Sequence, residues 1–419
     1  MIRISSENAN HITKSESFLV NTFVFFIFWS FFTGFPIAFG GVCRTILGGR
    51  LELLLLLVQL VICAIHQSKY PFSFSNVNLK YSIYFSLALL SIYILGAIAI
   101  GELDNILIFS LLHVFFLIFL RDDLKLVCLH RFIKVLGVLL CLSLIEFLVL
   151  LFFGKGILVM SSVIKVGTEN NDFAEVFDQY LLNFIFTGWG SELPRFQSLC
   201  EEPGNIGTIC GLLTFVTQRK KEYRFEYIVF VLSGFFSFSL AFYALFAISL
   251  IQNIGHNKLA IIIAAIISLI AIYYLYDFIE YRIMRRFMED NLDNRLTYDF
   301  NKRFMDALKD GSLWLPQGMS LGSHGAGAKM WIWKHGIISL IIFFSFYYNY
   351  YWKKVKSYNS LFWPCLVFFF AFWISFYQRH WITNLEYMII YMSVPVLFAK
   401  NRQRLNIDIN KKHKKNERD

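Results

Sequence analysis

The sequence predicts an all-α, polytopic integral membrane protein of about twelve transmembrane helices, and three observations carry that expectation. Of its 419 residues, 57% are hydrophobic and only 16% charged, where a soluble domain carries about a quarter charged residues. Apolar runs long enough to cross a bilayer, which takes roughly 20 residues, recur along the chain. Lys and Arg clusters fall between those runs, as they do in cytoplasmic loops. A soluble enzyme, a disordered chain and a disulfide scaffold are excluded.

The runs fall at about 18–40, 46–65, 81–101, 103–120, 132–153, 203–217, 226–252, 259–276, 330–351, 361–377 and 385–399. Residues 1–17 are polar, carry Glu7 and Glu16, and lack a small-residue cleavage site, so the first run reads as an uncleaved span after a cytoplasmic N-terminus. Basic clusters sit at Lys69/Lys80, Arg121–Arg131, Arg219–Arg224, Lys353–Lys356 and in the tail 400–419. All share the cytoplasmic side only if 226–252 crosses twice, as a hairpin of two short helices turning near Ser237-Phe238-Ser239. This places both termini inside and makes 18–399 one membrane domain. Two periplasmic loops of about 50 residues remain outside, about 154–202 and 278–329, each too short for an independent enzyme domain.

The net charge of +10 would suggest nucleic acid in a soluble chain, but cytoplasmic loops account for it, and no nucleic-acid partner is expected. Half of it lies from Lys400 on, where eight basic residues face three acidic ones, a tail suited to water or lipid headgroups. The seven cysteines show no CxxC or other paired spacing, and Cys63, Cys128, Cys141, Cys210 and Cys365 lie in or beside apolar runs. Without a Walker motif, a Rossmann glycine fingerprint or zinc spacing, no cofactor or metal is expected.

The second outer loop has its own pattern. Met284, Met288, Leu292, Leu296, Phe300, Phe304 and Leu308 recur every four positions, which is helical spacing. Two readings stay open for 281–310, which carries Arg282, Arg285, Arg286, Arg295, Lys302 and Arg303: a surface helix with solvated charges, or one lying at the headgroups with arginines reaching a lipid phosphate. Gly311, Gly318, Gly322, Gly325 and Gly327, with Pro316, then make a turn-rich stretch.

Candidate chemistry gathers at the outer entrances of spans. Pro194-Arg195-Phe196-Gln197-Ser198-Leu199-Cys200-Glu201-Glu202-Pro203-Gly204-Asn205-Ile206-Gly207 combines an arginine, two adjacent carboxylates and a Pro-Gly. Pro203 suits a first helical turn, and a helix N-terminus presents free N–H groups to an anion. Arg195 can grip a phosphate through two hydrogen bonds, or simply pair with Glu201 and Glu202; composition leaves both open. His324, flanked by Gly322 and Gly325, is either a surface residue or one that a ligand can approach closely. His335 and Lys334 beside Trp331 and Trp333 read as an interfacial belt. Arg379, in the short outer turn Tyr377–Trp381, opposes the positive-inside trend, as do Arg44 and Arg50; an anionic lipid-linked substrate or snorkelling beside Trp381 would account for it. Glu52, Glu146 and Glu386 lie in or near spans, where ionisable groups are functional by default unless close to an interface.

An arginine followed by E-P-G-x-x-G at a span entrance resembles the O-antigen polymerase and ligase superfamily of bacterial inner membranes. So do the Ser-rich hairpin Ser233–Ser239, the long outer loop, and His324 leading into a span that contains Gly336. The resemblance in hydropathy layout covers about 18–399, and in motifs about thirty residues. It implies a glycosyltransferase that moves a glycan from undecaprenyl pyrophosphate to an acceptor sugar at the periplasmic face, without nucleotide sugar or metal. Arg195, Arg379 and one of Arg282 or Arg285 would hold the pyrophosphate, with Gly204 and Asn205 lining the substrate. Glu202, or else Glu201 or His324, would take the acceptor's proton. Membrane lipids and a chain-length regulator are the implied partners. Ligases show a fuller histidine motif, with a nearby arginine and an Asn after the histidine; Gly325 follows His324 here, which favours polymerase over ligase. The competing class is a transporter such as a lipid-linked glycan flippase, but two long outer loops carrying the unusual residues favour surface chemistry. A structural scaffold leaves the outer arginines unexplained.

Overall fold

A computed structural model describes residues 12–32, 49–70, 73–101, 114–154, 161–165, 175–186, 195–200, 202–252, 298–318, 327–378 and 384–399. Its helices are α1 (Lys14–Phe32), α2 (Gly49–Lys69), α3 (Asn76–Ile100), α4 (Asp122–Phe153), α5 (Pro203–Thr217), α6 (Arg224–Phe236), α7 (Leu240–Ile251), α8 (Tyr298–Lys309), α9 (Ala328–Tyr358), α10 (Phe362–Gln378) and α11 (Leu385–Ala399). Among the described residues, α3, α4 and α9 are long and apolar enough to cross a membrane, while α7, α10 and α11 are apolar but shorter. The expected span 259–276 and most of 103–120 lie outside the described residues.

Helix builds the whole described bundle, as the composition predicts. The segment 154–202, expected to be an outer loop, adds a three-stranded antiparallel sheet in the order β1 (Ser161–Lys165), β2 (Glu175–Gln179), β3 (Phe184–Phe186). Its register pairs Ser161 with Gln179, Lys165 with Glu175, and Phe177 with Phe186. Strands of three to five residues leave too little periodicity to stand out in the sequence.

The run 226–252 does break into two helices at Ser237-Phe238-Ser239, and side-chain neighbours fix their directions. Gly207 near the start of α5 faces Ser237 and Ser239, whereas Gly211, one turn on, faces Leu245. So α7 runs alongside α5 in the same sense, and α6 returns from the far end of α5. The two form a reversed hairpin around α5. Gly207 and Gly211 are a small-xxx-small pair, the pattern that lets membrane helices approach closely; a Cβ on Gly211 would lie 2.8 Å from the Leu245 Cβ. Gly234 gives the same clearance to the ring of Phe242 within the hairpin.

α4 begins ten residues before the apolar run that marks it in the sequence, because Asp122 and Asp123 suit the positive end of a helix. Its 32 residues span about 48 Å and set the two ends of the bundle. At the first end, the basic loops meet. Arg121 pairs with Glu16 at 3.1 Å; His130 Nδ1 lies 2.8 Å from Tyr223 Oη; Lys134 bridges to Glu226 at 2.8 Å. At its centre, Asp122 Oδ1 accepts from Asn78 Nδ2 (3.0 Å) and Lys125 Nζ (3.1 Å), and Oδ2 from Lys354 Nζ (2.5 Å) and Tyr358 Oη (2.7 Å). Asn78 starts α3 and Lys354 ends α9, so one buried carboxylate ties three helices. Loops expected to share a side therefore share an end. Tyr347, Tyr351, Phe368, Phe372 and Tyr391 fill the space between α9, α10 and α11, while Phe343 and Phe346 pack on Phe85 of α3.

Candidate functional site

The opposite end holds the motif residues. α5 opens with Glu202 as an extended N-cap that makes no side-chain cap bond and Pro203 in the first turn; the Asn205 amide donates to the Glu202 carbonyl at 3.0 Å. This leaves the remaining first-turn amides without a side-chain cap, the arrangement that favours an anion or a polar ligand. Gly204 and Asn205 are buried, and Glu202 is half-buried.

Arg195 is half-buried and donates from Nε to the Ser237 carbonyl (3.0 Å) and from Nη2 to the Phe238 carbonyl (3.1 Å). Next to it, the Phe196 amide donates to the Phe236 carbonyl at 2.9 Å. The arginine fork thus grips the hairpin turn and delivers a fixed positive charge beside the entrance of α5. Ser198 (φ 51°) and Phe238 (φ 46°) both hold left-handed backbone, which costs a non-glycine residue energy and concentrates at functional junctions.

Four buried polar atoms of these segments have no hydrogen-bond partner among the described residues: Gln197 Nε2, Asn205 Oδ1, Ser233 Oγ and Ser239 Oγ. Buried polar groups are nearly always paired, so each of these atoms has room for a further partner, as do others elsewhere in the bundle. The four include an amide donor, an amide acceptor and hydroxyls that do both, a set that matches a hydroxyl-rich ligand.

A carboxylate on α4 holds this junction. Glu146 accepts from the amides of Leu181 (2.9 Å) and Leu182 (2.9 Å) and from Asn183 Nδ2 (2.8 Å). Asn183 Nδ2 also reaches the Ser143 carbonyl (2.7 Å), and Ser143 Oγ donates to the Leu182 carbonyl (2.9 Å). Phe147 stacks edge-on against Phe196 at 5.3 Å. Glu146 thereby anchors the segment Leu181–Asn183 to α4. Glu146→Ala is expected to destabilise the protein by roughly 2 kcal/mol, the worth of hydrogen bonds to a charged acceptor, with Glu146→Gln in between. Thermal unfolding in detergent reads this directly, and a wild-type midpoint for the alanine variant would remove the anchor.

α8 packs Phe300, Phe304 and Ala307 onto Met330 and Trp333 of α9. The inward face steps from 304 to 307, leaving Leu308 46% exposed, because the true helical period is 3.6 and not four. The stretch after Gly311 docks as far as residue 318. The Gln317 amide donates to the Trp333 carbonyl (2.9 Å), and the Trp314 carbonyl packs at the kink formed by Gly336 (φ 79°). The Ser312 amide donates to Asp310 Oδ1 at 2.8 Å, which holds that carboxyl below its usual range. Trp331 and Trp333 are buried against protein, so the expected lipid-facing belt is instead packing, with His335 on Trp331 at 4.8 Å.

Of the candidates, the structure brings Arg195, Glu202, Gly204 and Asn205 together. Glu201, Arg282, Arg285, His324, Arg379 and Arg44 lie outside the described residues, and nothing is described of the Arg50 and Glu52 side chains. Gln197, Ser237 and Ser239 join the site without having been singled out individually. The Ser-rich turn signalled Ser237 and Ser239, but a backbone carbonyl such as that of Ser237 has no sequence signature. The Asp122 cluster was hidden among loop charges.

Fold and site together define a helical membrane protein with a polar junction, built around an arginine-held hairpin, at the end of the bundle away from its basic loops. No protein-family model, no curated protein and no solved structure matches the chain.

Proposed function

We propose that the chain is a membrane glycosyltransferase acting on polyprenyl-pyrophosphate-linked glycans. Its specific role is that of an O-antigen or surface-polysaccharide polymerase, transferring a growing glycan to a lipid-linked repeat unit at the periplasmic face of the inner membrane. The observation that carries this reading is the junction itself: a fixed arginine, an uncapped helix entrance and unpaired buried donors and acceptors within one site. Assigning the basic end to the cytoplasm puts that junction outside.

In the mechanism, Arg195 supplies a charge whose orientation is set before substrate arrives, and a preorganised charge in a low-dielectric site stabilises the departing pyrophosphate most effectively. Arg379 and one of Arg282 or Arg285 complete the clamp. The Asn205 and Gln197 side chains orient sugar hydroxyls. Glu202, or else Glu201 or His324, accepts the proton of the attacking hydroxyl as the bond from the anomeric carbon to the pyrophosphate oxygen breaks.

Deletion in the native host tests the reading through lipopolysaccharide on a gel. Core carrying a single repeat unit is the expected result, because export and ligation survive. Bare core would indicate a ligase or flippase instead, which differ in the membrane side where lipid-linked glycan accumulates. An unchanged ladder would exclude the reading.

A further inference from the structure

At the basic end, a groove of about 910 Å³ opens between the C-terminal half of α9 and the start of α10. Lys356 and Asn359 stand at its mouth, with Tyr348 and Trp352 of α9 and Phe369 and Phe370 of α10 along its length. The wall is a continuous aromatic surface, with Trp352 and Phe369 at 5.7 Å and Tyr348 and Phe369 at 6.1 Å. Tyr348 lies eight residues from Lys356, about 12 Å along the helix axis. Because α9 is long and apolar enough to cross the bilayer, that axis carries the groove from the membrane surface towards its interior.

Charge is one-sided here. Neither α9 nor α10 contains an Asp or Glu. Lys356 is exposed, and among the described residues it makes no ion pair; neither does its neighbour Lys353. The third lysine of the run, Lys354, is turned inward and neutralised by Asp122. One turn below Lys356, Trp352 lines the groove. The groove therefore has a cation at the surface and an apolar aromatic wall deeper in. That is the polarity profile of a single lipid in its leaflet.

We infer that this groove binds one anionic phospholipid. Its phosphate lies at Lys356, its glycerol ester at the level of Trp352, and one acyl chain lies along the wall from Trp352 to Phe370. The unpaired cation selects an anionic over a zwitterionic head, and the depth of the wall selects an acyl chain over a peptide.

The test is native mass spectrometry of the full chain in detergent, supplied with phosphatidylglycerol or with phosphatidylcholine of the same acyl chains. The wild-type protein is expected to retain one phosphatidylglycerol in preference to phosphatidylcholine. Lys356→Gln is expected to reduce that preference roughly fivefold, the effect of one lysine at an anionic surface. Leu366→Trp, which fills the groove, is expected to abolish retention of both. Equal retention of the two lipids by the wild-type protein overturns the inference without recourse to any variant. So does a preference that survives Lys356→Gln. A lipid-free dimer lost on Leu366→Trp would assign the groove to a second copy instead.

Discussion

Asp122→Ala is expected to destabilise the protein by about 3–5 kcal/mol, the range seen when one partner of a buried ion pair is removed. Lys125 is fully buried and Lys354 nearly so, at 0% and 7% side-chain exposure, and Asp122 is the anion that faces both. Removing it leaves two cations facing each other without compensation and frees Asn78 and Tyr358 from their acceptor. Lys354→Met should cost much less, because Asp122 and Lys125 remain as a neutral pair. This asymmetry separates the electrostatic account from simple loss of packing. The buried thiols of Cys63, Cys128, Cys200, Cys210 and Cys365 provide the readout, since they react with a fluorescent maleimide only as the helices open on heating. Equal melting of Asp122→Ala and Lys354→Met would show that the charge arrangement does not matter.

Arg195→Ala is expected to reduce polymer formation on the order of 100-fold or more, the scale for losing a group that meets developing charge. Two of its hydrogen bonds also hold Ser237 and Phe238, so a stability loss of roughly 1.5–3 kcal/mol accompanies the change. Arg195→Lys separates the two roles poorly by design: an ammonium is a point charge that cannot copy the planar fork bridging two carbonyls, so little activity should return. The deciding comparison is with Glu146→Ala, which loosens the same junction without removing its cation. If both variants unfold alike but only Arg195→Ala loses the polysaccharide ladder, the arginine acts on substrate. A normal ladder from properly inserted Arg195→Ala protein would take Arg195 out of the mechanism.

Which parts of this architecture can be read from sequence follows from the physics of each part. Apolar runs are long-range averages, so α2, α3, α5, α10 and α11 emerge within a few residues of where they are expected, whereas α9 runs on to Tyr358, past the end of its apolar run, and α1 is described only as far as Phe32. The hairpin is also legible, because the basic clusters on either side of 226–252 demand an even number of crossings and Ser237–Ser239 supplies a polar turn. Burial of single charges is not legible. Lys353, Lys354 and Lys356 are chemically the same, and only the direction of α9 at each position turns one inward to Asp122 and the others outward. The sheet escapes because its strands are short. At the site, Arg195, Glu202, Gly204 and Asn205 could be named in advance, since a span entrance is defined by local sequence. The partners of Arg195, the carbonyls of Ser237 and Phe238, could not, because every residue carries one.

The unequal helix lengths have a consequence for the surrounding lipid. α6 and α7, at 13 and 12 residues, reach only about 20 and 18 Å, against a hydrocarbon core of about 30 Å. Beside them α4 is more than twice as long. Such hydrophobic mismatch is relieved by thinning the bilayer next to the short pair. Acyl chains around the hairpin must compress or tilt, and the water boundary dips towards Ser237–Ser239. On the proposed function, a polyprenyl-linked headgroup moving laterally would meet a depression in the leaflet there, and would reach the arginine at that turn without leaving the membrane surface.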